Sequence, residues 1–435
     1  MIRLFLLCLC VPFFASEFEN LSLETCIQKA RVYYPLHKNT ALLEQALNLS
    51  LDKINLTFVP RLKFTGKFTH QNEVTDARFL GVSSPLYEPI DKTQYQVAAE
   101  LSLPIIDSGS AWANKALQRA SNAVSKASVQ NELYKVQESV INAFFSSLLF
   151  DEQLKQNEIY INDLQKDYEN MLSRYKNGVA LKDNVDKISI ELLNAKQDKQ
   201  NLQSQKDIAN DTLSRLIGLK DFNLEIPSFE NCKEELFKFE FDFENSRGNI
   251  FSKRPELDYF YLRKEEAQTQ KKLELSKSLP YVDAFVQGGY GNPGLNMLKN
   301  GTDSFYIVGL RFTWDFSNLY SKYQQDELIR KEQLQIGSLE DEFYLNAKIS
   351  LNSNIKTAKS LIFQLSQDDE IIALQEKIVL NSKAKFLNGV LSINDFLSDV
   401  NQFYIAKLQR SYRQIQFLSI IYQIKQLVNE WNLRN

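Results

Sequence analysis

The spacing of apolar residues changes period twice in each half of this chain. From Leu21 to Phe58 apolar positions recur at helical intervals, and Pro60 ends the run because its nitrogen has no hydrogen to donate. From Arg61 the period becomes two: Leu62, Phe64, Gly66 and Phe68 alternate with Lys63, Thr65, Lys67 and Thr69, which predicts a strand with one apolar face. A polar stretch rich in Gly, Pro and Ser, about 71–93, leads to a second strand. Its Tyr95, Val97, Ala99, Leu101 and Leu103 lie opposite Gln94, Gln96, Glu100 and Ser102. Ser110 to about Lys176 then contains neither Pro nor Gly, and predicts a helix on the order of 100 Å long at ~1.5 Å per residue. Asn177-Gly178 interrupts it, and 182–216 returns as a partner with Val185, Ile188, Leu192 and Leu193 at coiled-coil spacing.

The second half repeats this order. Val282, Ala284 and Val286 face away from Asp283 and Gln287, a loop follows around Gly291 to Gly301, and Tyr306, Val308, Leu310, Phe312 and Trp314 form an apolar row opposite Arg311 and Thr313. Long helical patterns run from about Leu319 to Leu387 and from Ser392 to Trp431. Matching anchors recur in the same order: Tyr34-Pro35 with Arg254-Pro255, Val59-Pro60 with Leu279-Pro280, Leu101-Ser102-Leu103 with Leu310-Arg311-Phe312, and Asn177-Gly178-Val179 with Asn388-Gly389-Val390. An internal duplication is the expected organisation. The first repeat covers 17–217, with a β-hairpin at about 61–104 and a helical hairpin at about 110–216. An acidic, Phe-rich connector covers 218–252. The second repeat covers 253–435, with its hairpins at about 281–314 and 319–431.

Composition narrows the class. The net charge is −3, from 51 Lys+Arg against 54 Asp+Glu, so no basic surface points to a nucleic-acid partner. Mean hydropathy is −0.33, which excludes a polytopic helical membrane protein. Arg3 followed by the apolar run Leu4–Phe14 and small residues at Ala15 and Ser16 predicts a signal peptide over 1–16. Cys8 and Cys10 would leave with it. Cys26 and Cys232 remain; in an oxidising compartment they could pair, and two buried thiols are the plainer expectation.

The strands have the length of transmembrane strands, roughly 9–11 residues, and Tyr95, Tyr306 and Trp314 sit near their ends, as an interfacial aromatic girdle does. Two ordinary hairpins packed on a soluble core remain the competing arrangement. In lipid, an open sheet edge leaves backbone groups without partners. Four strands do not close a barrel, since the smallest membrane barrels use about eight. A lipid-immersed sheet here therefore requires an oligomer, whose size this argument does not choose.

These features together resemble the TolC family of outer-membrane efflux proteins. The likeness rests on Arg174-Tyr175-x-Asn177-Gly178 and Lys385-Phe386-x-Asn388-Gly389 at the turns of the long hairpins, on the strand-to-helix run Leu101–Gly109, and on the order of elements from about Leu21 to Trp431. The resemblance implies a mainly α fold with membrane β: duplicated long α-helical hairpins forming a helical barrel, plus four transmembrane β-strands per chain that complete a 12-stranded trimeric barrel. It implies a homotrimer in the outer-membrane lipid of a Gram-negative cell, with a tunnel in the periplasm. It also implies a periplasmic adaptor (membrane fusion protein) and an inner-membrane pump of the RND or ABC type. The activity would be passive conduction in tripartite efflux or type I secretion, with no cofactor and no metal.

The same resemblance singles out residues. Arg174, Tyr175, Asn177, Gly178, Lys385, Phe386, Asn388 and Gly389 would form adaptor-contact tips. Each Gly also suits a left-handed helix C-cap. Asp395 stands where relatives place an acidic ring in the tunnel mouth, and Asp399, Asp183 and Asn184 would belong to the same constriction. Ser392-x-x-Asp395 also reads as a capping box. Leu391 replaces an Arg that completes a closing link in the best-known relatives.

No catalytic constellation emerges. His37 and His70 lack ligand-spaced partners, and Gly288-Gly289-Tyr290-Gly291 reads as a turn at a strand end rather than a phosphate loop. A secreted coiled-coil spacer or adhesin is the alternative to a duct.

Overall fold

The computed structural model describes residues 19–74, 89–245 and 249–431. The expected signal peptide, 1–16, lies outside them, as do residues 75–88 of the first interstrand loop. Where the periodicity predicts one helix from Leu21 to Phe58, two form: α1 (Leu23–Tyr33) and α2 (His37–Asn55), followed by a 3-10 turn at Leu56–Phe58. Pro35 explains the break. Its ring pushes the preceding residue out of helical geometry, and Tyr34 is extended at φ −60°, ψ 130°.

The described residues fall into two compact units, one drawn from Met1–His37, Gln130–Leu257 and Glu342–Asn435, the other from Lys38–Val129 and Asp258–Asp341. The second unit holds the sheet. Strands β2 (Arg61–His70), β3 (Thr93–Ile106), β5 (Tyr281–Asn292) and β6 (Asp303–Thr313) lie in the order β2-β3-β5-β6, every neighbour antiparallel. Phe64 pairs with Ala99, Leu101 with Val286, and Val286 with Val308, so apolar rows of all four strands share one face. A register shift between Pro104 and Ile106 marks the point where proline cannot donate to the ladder.

Gly288 to Gly291 is not a turn. These residues continue β5, and at Gly289 and Gly291 the neighbouring atoms leave no room for a side chain. A Cβ at Gly289 would meet the Phe305 ring at 2.5 Å and the Val97 carbonyl oxygen at 2.8 Å; one at Gly291 would meet the Tyr95 carbonyl oxygen at 2.8 Å.

Long helices follow the sheet strands: α3 (Ser110–Lys176), α4 (Lys182–Ile217), α8 (Lys322–Leu387) and α9 (Ile393–Val428). A short helix, α7 (Ser317–Tyr320), precedes α8. The connector is not merely a linker: it contains β4 (Phe222–Leu224) and α5 (Phe229–Asn245), and leads to α6 (Pro255–Lys277). In the first unit, β1 (Glu19–Leu21) pairs in parallel with β4, and α1, α5, α9 and the helical hairpins share one core. Phe144, Leu213, Leu236, Phe251 and Phe417 are fully buried in it, each contributing about 1.5–3 kcal/mol by removal from water. Cys26 and Cys232 are buried in the same core as thiols. Burial, reinforced by the Glu235 charge, pushes the Cys232 thiol up to about 12.

Candidate functional site

One face of the sheet is apolar and bare. Phe64 is 72% exposed, Tyr306 79% and Leu310 71%, and Phe68, Val97, Leu101, Val286, Tyr290, Val308 and Phe312 continue the surface across all four strands. No described residue covers it. Monomeric soluble proteins rarely leave so large an apolar surface in water. The outer edges of β2 and β6 pair with no other described strand. Of the girdle residues expected from sequence, Tyr95 and Tyr306 lie toward the loop end of the sheet, with Tyr95 Oη 2.8 Å from Thr302 Oγ1. Trp314 lies just past β6 at the helix end, stacked on Phe316 with ring centroids 4.4 Å apart.

The opposite face is mostly polar, with Phe285, Phe305 and Ile307 among its side chains, and carries an ion cluster that sequence reading did not assemble. Arg311 lies opposite Asp283 in the ladder, 3.6 Å from its carboxylate, and donates to Glu100 at 2.8 Å. Its guanidinium sits 4.6 Å from the Phe285 ring centroid. The signal was present in the alternation: Asp283 and Arg311 both fall on the polar side of adjacent strands, and only the register was missing.

In the first unit, the two hairpin turns have the same backbone solution. Val179 donates to the Arg174 carbonyl at 2.9 Å and Gly178 to that of Tyr175 at 2.9 Å; Val390 and Gly389 donate likewise to Lys385 and Phe386. Gly178 and Gly389 are left-handed, at φ 75° and 74°. This double bond pattern closes the last turn of a helix and requires the conformation that glycine takes without a Cβ penalty. The side chains diverge. Tyr175, Asn177, Lys385, Asn388 and both glycines are exposed, whereas Phe386 is buried and stacked on Phe396 at 5.1 Å. Arg174 reaches across to the other turn, its Nη2 donating to the Leu387 carbonyl at 2.7 Å.

Asp395 is exposed in the first turn of α9, which Ser392 caps. Its amide donates to Ser392 Oγ at 3.1 Å, and the Ser392 hydroxyl donates to its carboxylate at 2.7 Å. Asp399 is half-buried and accepts from the Ser382 hydroxyl. Asp183 pairs with Lys187 at 2.8 Å, and the Asn184 amide donates to the Leu181 carbonyl at 3.2 Å. Beneath the turns, Met171, Val185, Ile188, Phe386, Ile393 and Phe396 form a small core drawn from four helices. Farther along, Tyr160 stacks on Tyr404 at 4.2 Å and donates to Glu191. Burial and that carboxylate raise the Tyr160 phenol well above its ordinary value. Among the described residues, no group of His, Cys, Asp and Glu is arranged to hold a metal ion.

A sheet apolar on one face and mostly polar on the other, with both outer edges unpaired among the described strands, thus stands in a chain whose helices run to 67 residues. Residues 39–219 match the outer membrane efflux protein family. No curated protein sequence matches the chain. Among solved structures, the outer membrane protein VceC of Vibrio cholerae is similar at 12% identity and a TM-score of 0.64, covering 94% of this chain and 95% of that one. The Campylobacter jejuni CmeC outer membrane channel is similar at 13% identity and a TM-score of 0.63, covering 93% and 85%. The open state of the Neisseria gonorrhoeae MtrE outer membrane channel is similar at 12% identity and a TM-score of 0.63, covering 96% and 91%. The chain thus has the fold of the TolC-type outer-membrane channels and, over residues 39–219, the sequence pattern of the efflux family. That family and these relatives are channels and efflux proteins rather than enzymes.

Proposed function

We propose that this chain is one third of an exit duct in the Gram-negative outer membrane. Three copies close a 12-stranded barrel whose apolar face meets lipid and whose polar face lines the passage. The helical hairpins of the three copies form a tunnel in the periplasm, and the repeated order of helix, β-hairpin and helical hairpin reflects duplication of one unit. The bare apolar face with two unpaired edges carries this reading. A soluble spacer would leave that face in water, while a single chain in lipid would leave both edges without hydrogen bonds.

The exposed turn residues Tyr175, Asn177, Gly178, Lys385, Asn388 and Gly389, with the half-buried Arg174 beside them, offer a surface for a periplasmic adaptor, with Phe386 supporting it from below. The adaptor links the duct to an inner-membrane pump, so conduction here is passive. Three copies of the Asp395 carboxylate around an axis would favour cations. Planar bilayers test the reading. The purified mature protein should form ion-conducting pores, and Asp395→Ala should change conductance and cation block. A chain that forms no pores and fractionates with soluble periplasmic proteins would contradict the proposal.

A further inference from the structure

We infer that the helix-side end of the sheet holds a binding site for the phosphate of a phospholipid headgroup, in the periplasmic leaflet. The inference rests on the membrane reading above. A cavity of about 360 Å³ lies where α6 ends and α8 begins, with Lys271, Lys272, Lys277 and Lys322 against Glu274 and Asp326 in its lining. Both carboxylates are engaged: Glu274 with Lys277 at 2.9 Å, and Asp326 with Lys271 at 3.5 Å. Lys272 and Lys322 make no ion pair with any described residue, and both are exposed. Four ammonium groups over two neutralised carboxylates leave an excess of positive charge suited to a phosphodiester anion.

Placement selects a lipid as the source of that anion. Only three residues separate the end of α6 from the start of β5, so the cavity adjoins the strands. Trp314 continues the apolar row of Tyr306, Val308, Leu310 and Phe312, and its indole Nε1 donates at 3.2 Å to the carbonyl of Ser278, a cavity-lining residue. Asn318, on the other wall, donates to the Lys277 carbonyl at 3.1 Å. Acyl chains lying along the apolar row would bring their headgroup to these lysines, past an indole at the depth where tryptophan prefers to sit. A site built for free phosphate would need no such row.

The test uses the full mature assembly in detergent and native mass spectrometry with added phosphatidylglycerol. Wild type should retain the lipid, and Lys272→Glu/Lys322→Glu should weaken retention by about tenfold or more. The milder Lys272→Gln/Lys322→Gln should act in the same direction, and Lys348→Glu/Lys356→Glu, at exposed positions in the other unit, should not. Equal retention by wild type and both Lys272/Lys322 variants would overturn the inference. So would displacement of the lipid by millimolar inorganic phosphate, which would mark a site for the free anion. Failure of the membrane reading would look different, because wild type would then be stable without detergent and retain no lipid.

Discussion

Arg174 and Leu387 join the two helical turns of one chain: the guanidinium at the end of α3 donates to a carbonyl at the end of α8 that its own helix leaves unbonded. The two hairpins are therefore tied at their tips before any other subunit is involved. Charge assists this bond, and a cation near a helix C-terminus is favoured by the dipole. Arg174→Ala is expected to cost about 1.5–3 kcal/mol locally. Hydrogen exchange should accelerate at the Asn388–Val390 amides in this variant and stay unchanged in the core around Phe144. Equal protection at both places would remove the tie.

Gly218 provides a separate test of backbone geometry. It ends α4 in the left-handed region at φ 77°, and a Cβ there would meet the Tyr33 ring at 2.5 Å. Gly218→Ala is expected to lose about 1–3 kcal/mol for the backbone alone, with a further loss from the clash. In a Tyr33→Ala background the clash component should vanish. Gly389→Ala, where nothing lies within 4 Å of the added methyl, should show only the backbone cost. Chemical denaturation of the three variants measures the difference, and equal losses at Gly218 and Gly389 would contradict the packing.

Asp151 sets part of the acid limb of stability. Partial burial opposes its ionisation, but hydrogen bonds from Lys155 and Lys206 outweigh that and hold the carboxyl below its ordinary range. The folded form thus binds a proton less readily than the unfolded chain. The stabilisation is present above the unfolded value, near 3.8, and is lost as pH falls through the lower folded value. Asp151→Asn should lower Tm at neutral pH and flatten its decline in acid. A variant with an unchanged acid limb would show that the two lysines do not act this way.

The sheet face makes a sharper demand. Leu310→Lys places a charge on the apolar row and is expected to cost about 2–4 kcal/mol if it lies near the bilayer centre. Thr65→Lys, on the polar face, should be tolerated. Recovery of assembled protein from the outer-membrane fraction reads the contrast, and equal recovery would mean that the apolar row does not face lipid.

Much of this was legible in the sequence because strand periodicity is unforgiving: a slip of one residue would turn Leu62, Phe64 and Phe68 to the polar side. The helical turns were legible for a similar reason, since Asn-Gly after a long uninterrupted helix leaves few backbone solutions. Contacts between distant residues were not. Tyr175 and Phe386 occupy the same position in their turns, yet only Phe386 meets a partner ring, because Phe396 stands on α9 where α4 has Val185. The run of β5 through its glycines was not legible, because its cause, the Phe305 ring on β6 and the β3 carbonyls of Val97 and Tyr95, lies on other strands. Pro35 stands within a strong helical pattern on both sides, and periodicity alone does not register the break that its ring imposes. The cavity lysines were hidden for the same reason as the Arg311 cluster, as they converge only once α6 and α8 are brought together.

Closure of the sheet by sibling chains is measured most directly by the mass of the purified mature protein in detergent. Native mass spectrometry should find three copies per particle, dissociating only when the sheet is denatured. A stable single chain that stays dispersed after the detergent is removed would contradict the account.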